Sequence, residues 1–143
     1  MKRLTSMERV IIENGGLATT AELLAANIEW DWLRIAAMYG SSIIHVRKGW
    51  WGTSDTDEAV IDARRAGGRL ACISALGLST SGDLHIEVER NKARRRNLLP
   101  ADRNVIVHRP LRASPGNNAR VTQAAARRQA QTCRGLSPQR GER

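Results

Sequence analysis

A chain of 143 residues, 41% of them apolar, has room for one domain, or for one small domain with an appendage. No window approaches the ~20 apolar residues that span a bilayer, and no signal-peptide pattern opens the chain, so no membrane partner is expected. A net charge of +9 and a pI of about 11.1 favour a polyanion such as DNA, but that charge is uneven: residues 1–109 hold 16 Lys+Arg against 13 Asp+Glu, residues 110–143 hold 7 against 1.

The first helix is predicted over residues 5–14, with Met7, Val10 and Ile11 at i, i+3, i+4 on one face. Gly15-Gly16 ends it. Thr19 and Glu22 have the spacing of a capping box, in which each side chain accepts a hydrogen bond from the other's free backbone N–H. They start a second helix over 21–26 whose Leu23 and Leu24 face inward.

All five aromatic residues fall within 29–51: Trp30, Trp32, Tyr39, Trp50 and Trp51. A third helix is predicted over 29–39, with Trp32, Ile35, Ala36 and Tyr39 on its core stripe. Trp30, Trp50 and Trp51 are too large to be buried together in so small a unit, so one or two should stay partly exposed. Residues 43–46 read as a strand, Arg47-Lys48-Gly49 as a turn, and Trp50-Trp51 as the return strand. Two short helices, a tight turn and a hairpin make the layout of a winged helix-turn-helix.

A fourth helix is expected over 56–65, with acids at its start and Arg64 and Arg65 at its end, as the helix dipole favours. Residues 70–76 form a short apolar segment, read as helix for its Ala content. Residues 84–89 alternate, which predicts a half-buried strand with Leu84, Ile86 and Val88 inward and His85, Glu87 and Glu89 outward. Arg90, Lys92, Arg94, Arg95 and Arg96 form a basic loop, and residues 105–107 a second strand. Beyond Arg112 the chain turns polar and Gly/Pro-broken, then Ala/Gln/Arg-rich, which predicts a disordered tail or at best a loose helix.

The expected fold class is α+β. A winged helix-turn-helix occupies 1–52, a small helix-plus-strands region 53–112, and a flexible basic tail 113–143. Cys72 and Cys133 are far apart and lack a CxxC partner, so neither a disulfide scaffold nor a zinc site is expected, and a reducing cytoplasm fits. Cys72 reads as a small buried hydrophobe. His45, His85 and His108 are isolated, without ligand spacing or a paired nucleophile. Asp83, Glu87 and Glu89 lie along one strand as in metal-dependent nucleases, but the Lys expected after the second acid is missing. No enzyme, metal or cofactor is expected.

The segments GGLATTAELLA (15–25), IHVRKGWW (44–51), ARRAGGRLACISAL (63–76), LHIEVERNKARRR (84–96) and VIVHR (105–109) together resemble a known group. It is the actinobacterial proteins whose N-terminal winged-helix domain is like that of the AbiEi-type antitoxin of type IV toxin–antitoxin systems. The resemblance implies a DNA-binding regulator, often an autorepressor, with the wing and the preceding helix at the DNA. Two features depart from it. The recognition helix of such proteins is usually Arg-rich, whereas here it opens Glu29-Trp30-Asp31-Trp32 and holds only Arg34. The nuclease-like domain that many of them carry does not follow, so a stand-alone regulator such as a phage immunity repressor also fits.

The candidate contacts to double-stranded DNA are therefore three sets. His45, Arg47 and Lys48 project from the wing. Arg34, Ser41 and Ser42 border it, Arg34 having a surface ion pair with Glu29 or Asp31 as its alternative. The 90–96 cluster offers non-specific phosphate contacts. A homodimer on two half-sites is expected. The competing expectation is an antitoxin or adaptor whose acidic, Trp-rich third helix meets a protein partner instead.

Overall fold

The computed structural model describes residues 2–39, 42–77, 83–89 and 104–133. The fold is α+β. Its first half runs α1 (Lys2–Glu13), β1 (Leu17–Thr19), α2 (Thr20–Ala25), α3 (Trp30–Tyr39), β2 (Ile43–Arg47) and β3 (Trp50–Thr53). β3 is central and antiparallel to both neighbours, in the order β1-β3-β2, with Ala18 opposite Trp51 and Ile44 opposite Gly52.

Local chemistry accounts for these boundaries. α1 buries Met7 and Ile11 and ends where the Gly16 N–H donates to Ile11 O at 2.9 Å. Gly15 and Gly16 both have positive φ there, a conformation open to glycine because it has no Cβ. The capping box forms as predicted: Glu22 N donates to Thr19 Oγ1 at 3.0 Å, and Thr19 N donates to Glu22 Oε1 at 2.7 Å. Met7, Ile11, Leu23, Ile28, Leu33, Ala36, Ile43 and Trp51 then close one apolar core.

The buried stripe of α3 differs from expectation. Leu33 and Ala36 are buried and Trp32 packs beside them, whereas Ile35 and Tyr39 face outward. Eight of the ten residues of this helix are apolar, so apolar periodicity leaves its rotation open. The only two charged residues, Asp31 and Arg34, lie opposite Leu33 and Ala36 and mark the outer face. Trp51 is buried, Trp50 half-buried and Trp30 60% exposed.

The second half runs α4 (Glu58–Arg65), β4 (Arg69–Leu70), α5 (Cys72–Ala75), β5 (Asp83–Glu87), β6 (Asn104–His108) and α6 (Gln123–Thr132). β5 is central, antiparallel to β4 and parallel to β6, with Ile86 between Leu70 and Val107. The expected inside–outside alternation is overturned: residues 84–88 are all buried, His85 and Glu87 among them.

The cover comes from the segment read as a disordered tail. Residues 113–133 are ordered, and only 134–143 lie outside the described residues. Leu70 N donates to Ala119 O and Val121 N to Leu70 O, both at 2.9 Å, so the segment continues the sheet beyond β4. Thr122 then caps α6, its Oγ1 accepting from Ala125 N at 3.2 Å. Ala119, Val121, Ala125, Ala126 and Cys133 enter the larger core. Small side chains suffice because α6 packs closely against α5.

The two halves interlock across the expected boundary at residue 52. Leu17 and Val46 belong to the core of the second half. Thr56 Oγ1 donates to Gly16 O at 2.7 Å, and Asn118 Nδ2 donates to Leu17 O at 3.0 Å and Glu22 Oε1 at 2.8 Å. Among the described residues, no helix is long and apolar enough to cross a membrane.

Candidate functional site

The β2–β3 hairpin is braced at its tip. Gly49 turns it with φ +83, and the Gly49 carbonyl accepts from Thr20 N at 3.0 Å. The Trp51 indole N–H donates to Thr20 Oγ1 at 2.9 Å, so the hairpin is tied twice to the start of α2. His45 is exposed, its ring 4.7 Å from that of Trp51. Lys48 is exposed, while Arg47 leans back and donates to the Arg64 carbonyl at 3.3 Å.

That lean brings three guanidinium groups together. Arg64, at the end of α4, lies over the Trp50 ring, 3.8 Å from its centroid, and donates to Asn118 O at 3.2 Å. Its Nε is buried and meets no hydrogen-bond partner among the described residues. Burial, followed by the positive charges of Arg69 and Arg47, pulls the Arg64 pKa down to about 10, against a partial offset from Glu89. These residues line one side of a cleft of 670 Å³, which also holds Lys48, Glu87, Glu89 and Ser114. Among the described residues that line it, four cations face two carboxylates, and one of those is already committed.

The committed carboxylate is Glu87. It accepts from Arg69 Nη2 at 2.9 Å, from the Ser114 hydroxyl at 2.6 Å and N–H at 3.1 Å, and from Gln129 Nε2 at 2.9 Å. Burial alone would raise its pKa. The Ser114 hydroxyl and Arg69 outweigh that and hold it below the usual carboxylate range. Among the described residues lining the cleft positive charge is in excess, which suits a phosphate.

Behind this network, four side chains that look unrelated in sequence converge. Cys72 at the start of α5, His85 on β5, His108 at the end of β6 and Cys133 after α6 place one ligand atom each within 4.8 Å of all the others. Cys133 Sγ lies 3.6 Å from His85 Nδ1 and 3.5 Å from His108 Nε2. Burial, and then the neighbouring His108, lowers the His85 pKa; burial lowers that of His108. Both imidazoles are therefore neutral at pH 7. Burial pushes the Cys72 thiol up to about 12, with Cys133 adding to the rise. This grouping overturns the reading of His85 and His108 as isolated, while Cys72 is buried in the core as expected. The spacings are long, with 12, 22 and 24 residues between successive members, so no short motif marks them.

The predicted DNA contacts are only partly gathered. Arg47 and Lys48 share the cleft and His45 flanks the hairpin. Arg34 pairs with Asp31 on the exposed face of α3, as its alternative reading had it. Ser42 donates to the Glu8 carboxylate and braces α1 instead of projecting outward. Ser41, Arg90, Lys92, Arg94, Arg95 and Arg96 lie outside the described residues. Sequence reasoning passed over Arg64 and Arg69 as contacts, having read Arg64 as a helix-end charge. Their signal, a helix ending in Arg-Arg with a further Arg just past a Gly-Gly stop, gains meaning only once the hairpin is placed beside it. Compared with known protein families and with curated proteins, the chain matches none.

Proposed function

We propose that the chain is a winged helix-turn-helix protein that binds double-stranded DNA in a sequence-specific manner and acts as a transcriptional repressor by occupying its operator. One observation carries the reading. The order α1–β1–α2–α3–β2–β3, with β1-β3-β2 pairing and a tight α2–α3 turn, supports an arrangement in which α3 would enter a major groove and the hairpin would lie on the adjacent backbone. The cleft cations Arg47, Lys48 and Arg64 lie beside the hairpin and support the reading as phosphate partners. The AbiEi-type resemblance points the same way, and a dimer on two half-sites is the expected assembly.

The exposed face of α3 favours a second reading. Trp30, Met38 and Tyr39 are 60%, 73% and 74% exposed, and Asp31 neutralises the helix's only cation. Such a face suits a protein partner better than phosphates, as an antitoxin or adaptor would need.

One titration separates the two. DNA from just upstream of the chain's own gene is titrated at two salt concentrations against scrambled competitor. A repressor gives competitor-resistant binding, and Lys48→Ala weakens it uniformly across sequences, reducing the salt slope by about one. Competitor-sensitive binding that vanishes with modest salt overturns the repressor reading. In that case Trp30→Ser and Met38→Ser are carried into a search for the protein partner.

A further inference from the structure

We propose that Cys72, His85, His108 and Cys133 form a closed tetrahedral zinc site that clamps α6 onto the β4-β5-β6 sheet. This inference is independent of the DNA-binding reading. Zinc takes thiolate sulfur at about 2.3 Å and imidazole nitrogen at about 2.0–2.1 Å, which at a tetrahedral angle sets sulfur and nitrogen about 3.5 Å apart. The two Cys133–imidazole separations are 3.6 and 3.5 Å. The full donor set spans no more than 4.8 Å. A two-iron cluster would put the cysteine pair and the histidine pair on separate irons and drive these atoms apart.

Two further features set the cluster apart from an ordinary core. Cys72 has φ +53, one of two non-glycine residues with positive φ among those described. Backbone strain of this kind collects where a side chain must be aimed. The surrounding chain holds it there, the Cys72 N–H donating to Gln129 Oε1 at 2.9 Å. His85 is fully buried, yet its Nε2 has no hydrogen-bond partner among the described residues, and its Nδ1 meets only the sulfur of Cys133. A buried imidazole is normally held by hydrogen bonds; ligation through Nδ1 would anchor this ring and put its proton on Nε2, so it is the Nδ1 side and not the unpartnered Nε2 that points to a metal. The His85 backbone is tied to α5 by its N–H donating to Ser74 Oγ at 2.9 Å.

The chemistry balances. Zn²⁺ displaces the two thiol protons to solvent, and two thiolates with two neutral imidazoles leave the buried centre uncharged. Four protein donors fill the tetrahedron, so the site is structural, with no position for substrate. It joins α5, β5, β6 and the end of α6, adding a metal link to elements that already pack on one another.

The test uses the untagged full-length chain purified without chelator. Elemental analysis should find about one zinc per chain. Exchange for Co²⁺ should give the visible d–d bands of a tetrahedral ion with thiolate-to-cobalt charge transfer. Cys133→His should keep the metal with weaker charge transfer, and Cys133→Ala should lose it. Stripping zinc from the wild type should lower its melting temperature and expose α6 to protease. Folded wild-type protein that carries no zinc and gives no tetrahedral cobalt spectrum overturns the site, whatever the variants do. So does iron in place of zinc, or a Cys72–Cys133 disulfide in freshly isolated protein.

Discussion

Replacing Glu87 by Gln keeps the shape of a buried side chain and removes only its charge and half of its acceptor capacity. Glu87 receives four hydrogen bonds on two oxygens: the Ser114 hydroxyl and Gln129 on Oε1, Arg69 and the Ser114 N–H on Oε2. An amide offers one oxygen and one NH₂, so two of those donors would face another donor. If the NH₂ took the Oε1 position, Gln129 would have to flip, and its own NH₂ would then meet the Cys72 N–H that its oxygen now accepts. If it took the Oε2 position, Arg69 and the Ser114 N–H would lose their acceptor; in both orientations Arg69 loses its counterion, and the two side chains are only 14% and 4% exposed. Either way at least one buried donor is stranded, at about 1–3 kcal/mol. A fully broken buried ion pair costs about 3–5 kcal/mol, but Arg69 keeps the Asn117 and Ser114 carbonyls as acceptors. The expected loss is thus about 2–4 kcal/mol, read in urea as a midpoint shift of about 1–2 M at unchanged slope. A loss below about 0.5 kcal/mol would refute the reasoning, because it would mean that water reaches the carboxylate. Arg69→Met added to Glu87→Gln should cost less than the sum of the two single changes.

Thr19→Ala removes the acceptor of the capping box and should cost about 1 kcal/mol in thermal unfolding, with α2 fraying first. Gly15→Val should cost about 2–3 kcal/mol, because φ is +86 and the new Cβ would sit 2.7 Å from Asn117, whose Oδ1 is already held by the N–H groups of Ala119 and Arg120. Gly49→Ala, with positive φ but open space around it, should cost only about 1–2 kcal/mol, read in the denaturation midpoint. Asn118→Ala takes a donor from both Leu17 O and Glu22, and hydrogen exchange should accelerate on both sides, at 117–121 and in α2. Acceleration confined to 117–121 would show that the segment does not brace the first half.

What was legible in the sequence and what was not divides along a physical line. Signals that act within a few residues could be read directly: the Thr19–Glu22 box, the Gly15-Gly16 stop, the hairpin around Gly49 and the acid-to-base polarity of α4. The rotation of α3 was also written there, in Asp31 and Arg34, because a helix that is apolar nearly all round is oriented by its charges. In the second half α4, α5, β5 and β6 were legible as elements, and what failed, as one connected error, was their cover. Strand β5 alternates correctly, but alternation reports that two faces differ in polarity, not that one of them meets water. Residues 114–133 supply the cover, and they looked like tail because they bury Ala, Val and Cys in place of Leu or Phe. Once they were read as disordered, Glu87 had no reason to be buried, His85 had no neighbour, and Cys133 had nothing to pair with. Restoring that one segment restores all three. Ser114 and Gln129 close on Glu87, Asn118 reaches Arg64 beneath the hairpin, and Cys133 arrives beside His85 and His108. The basic cleft and the Cys/His cluster are thus two consequences of a single packing event, and weakening the hold on α6 should disturb the setting of Arg64 beside the hairpin as well as the cluster itself.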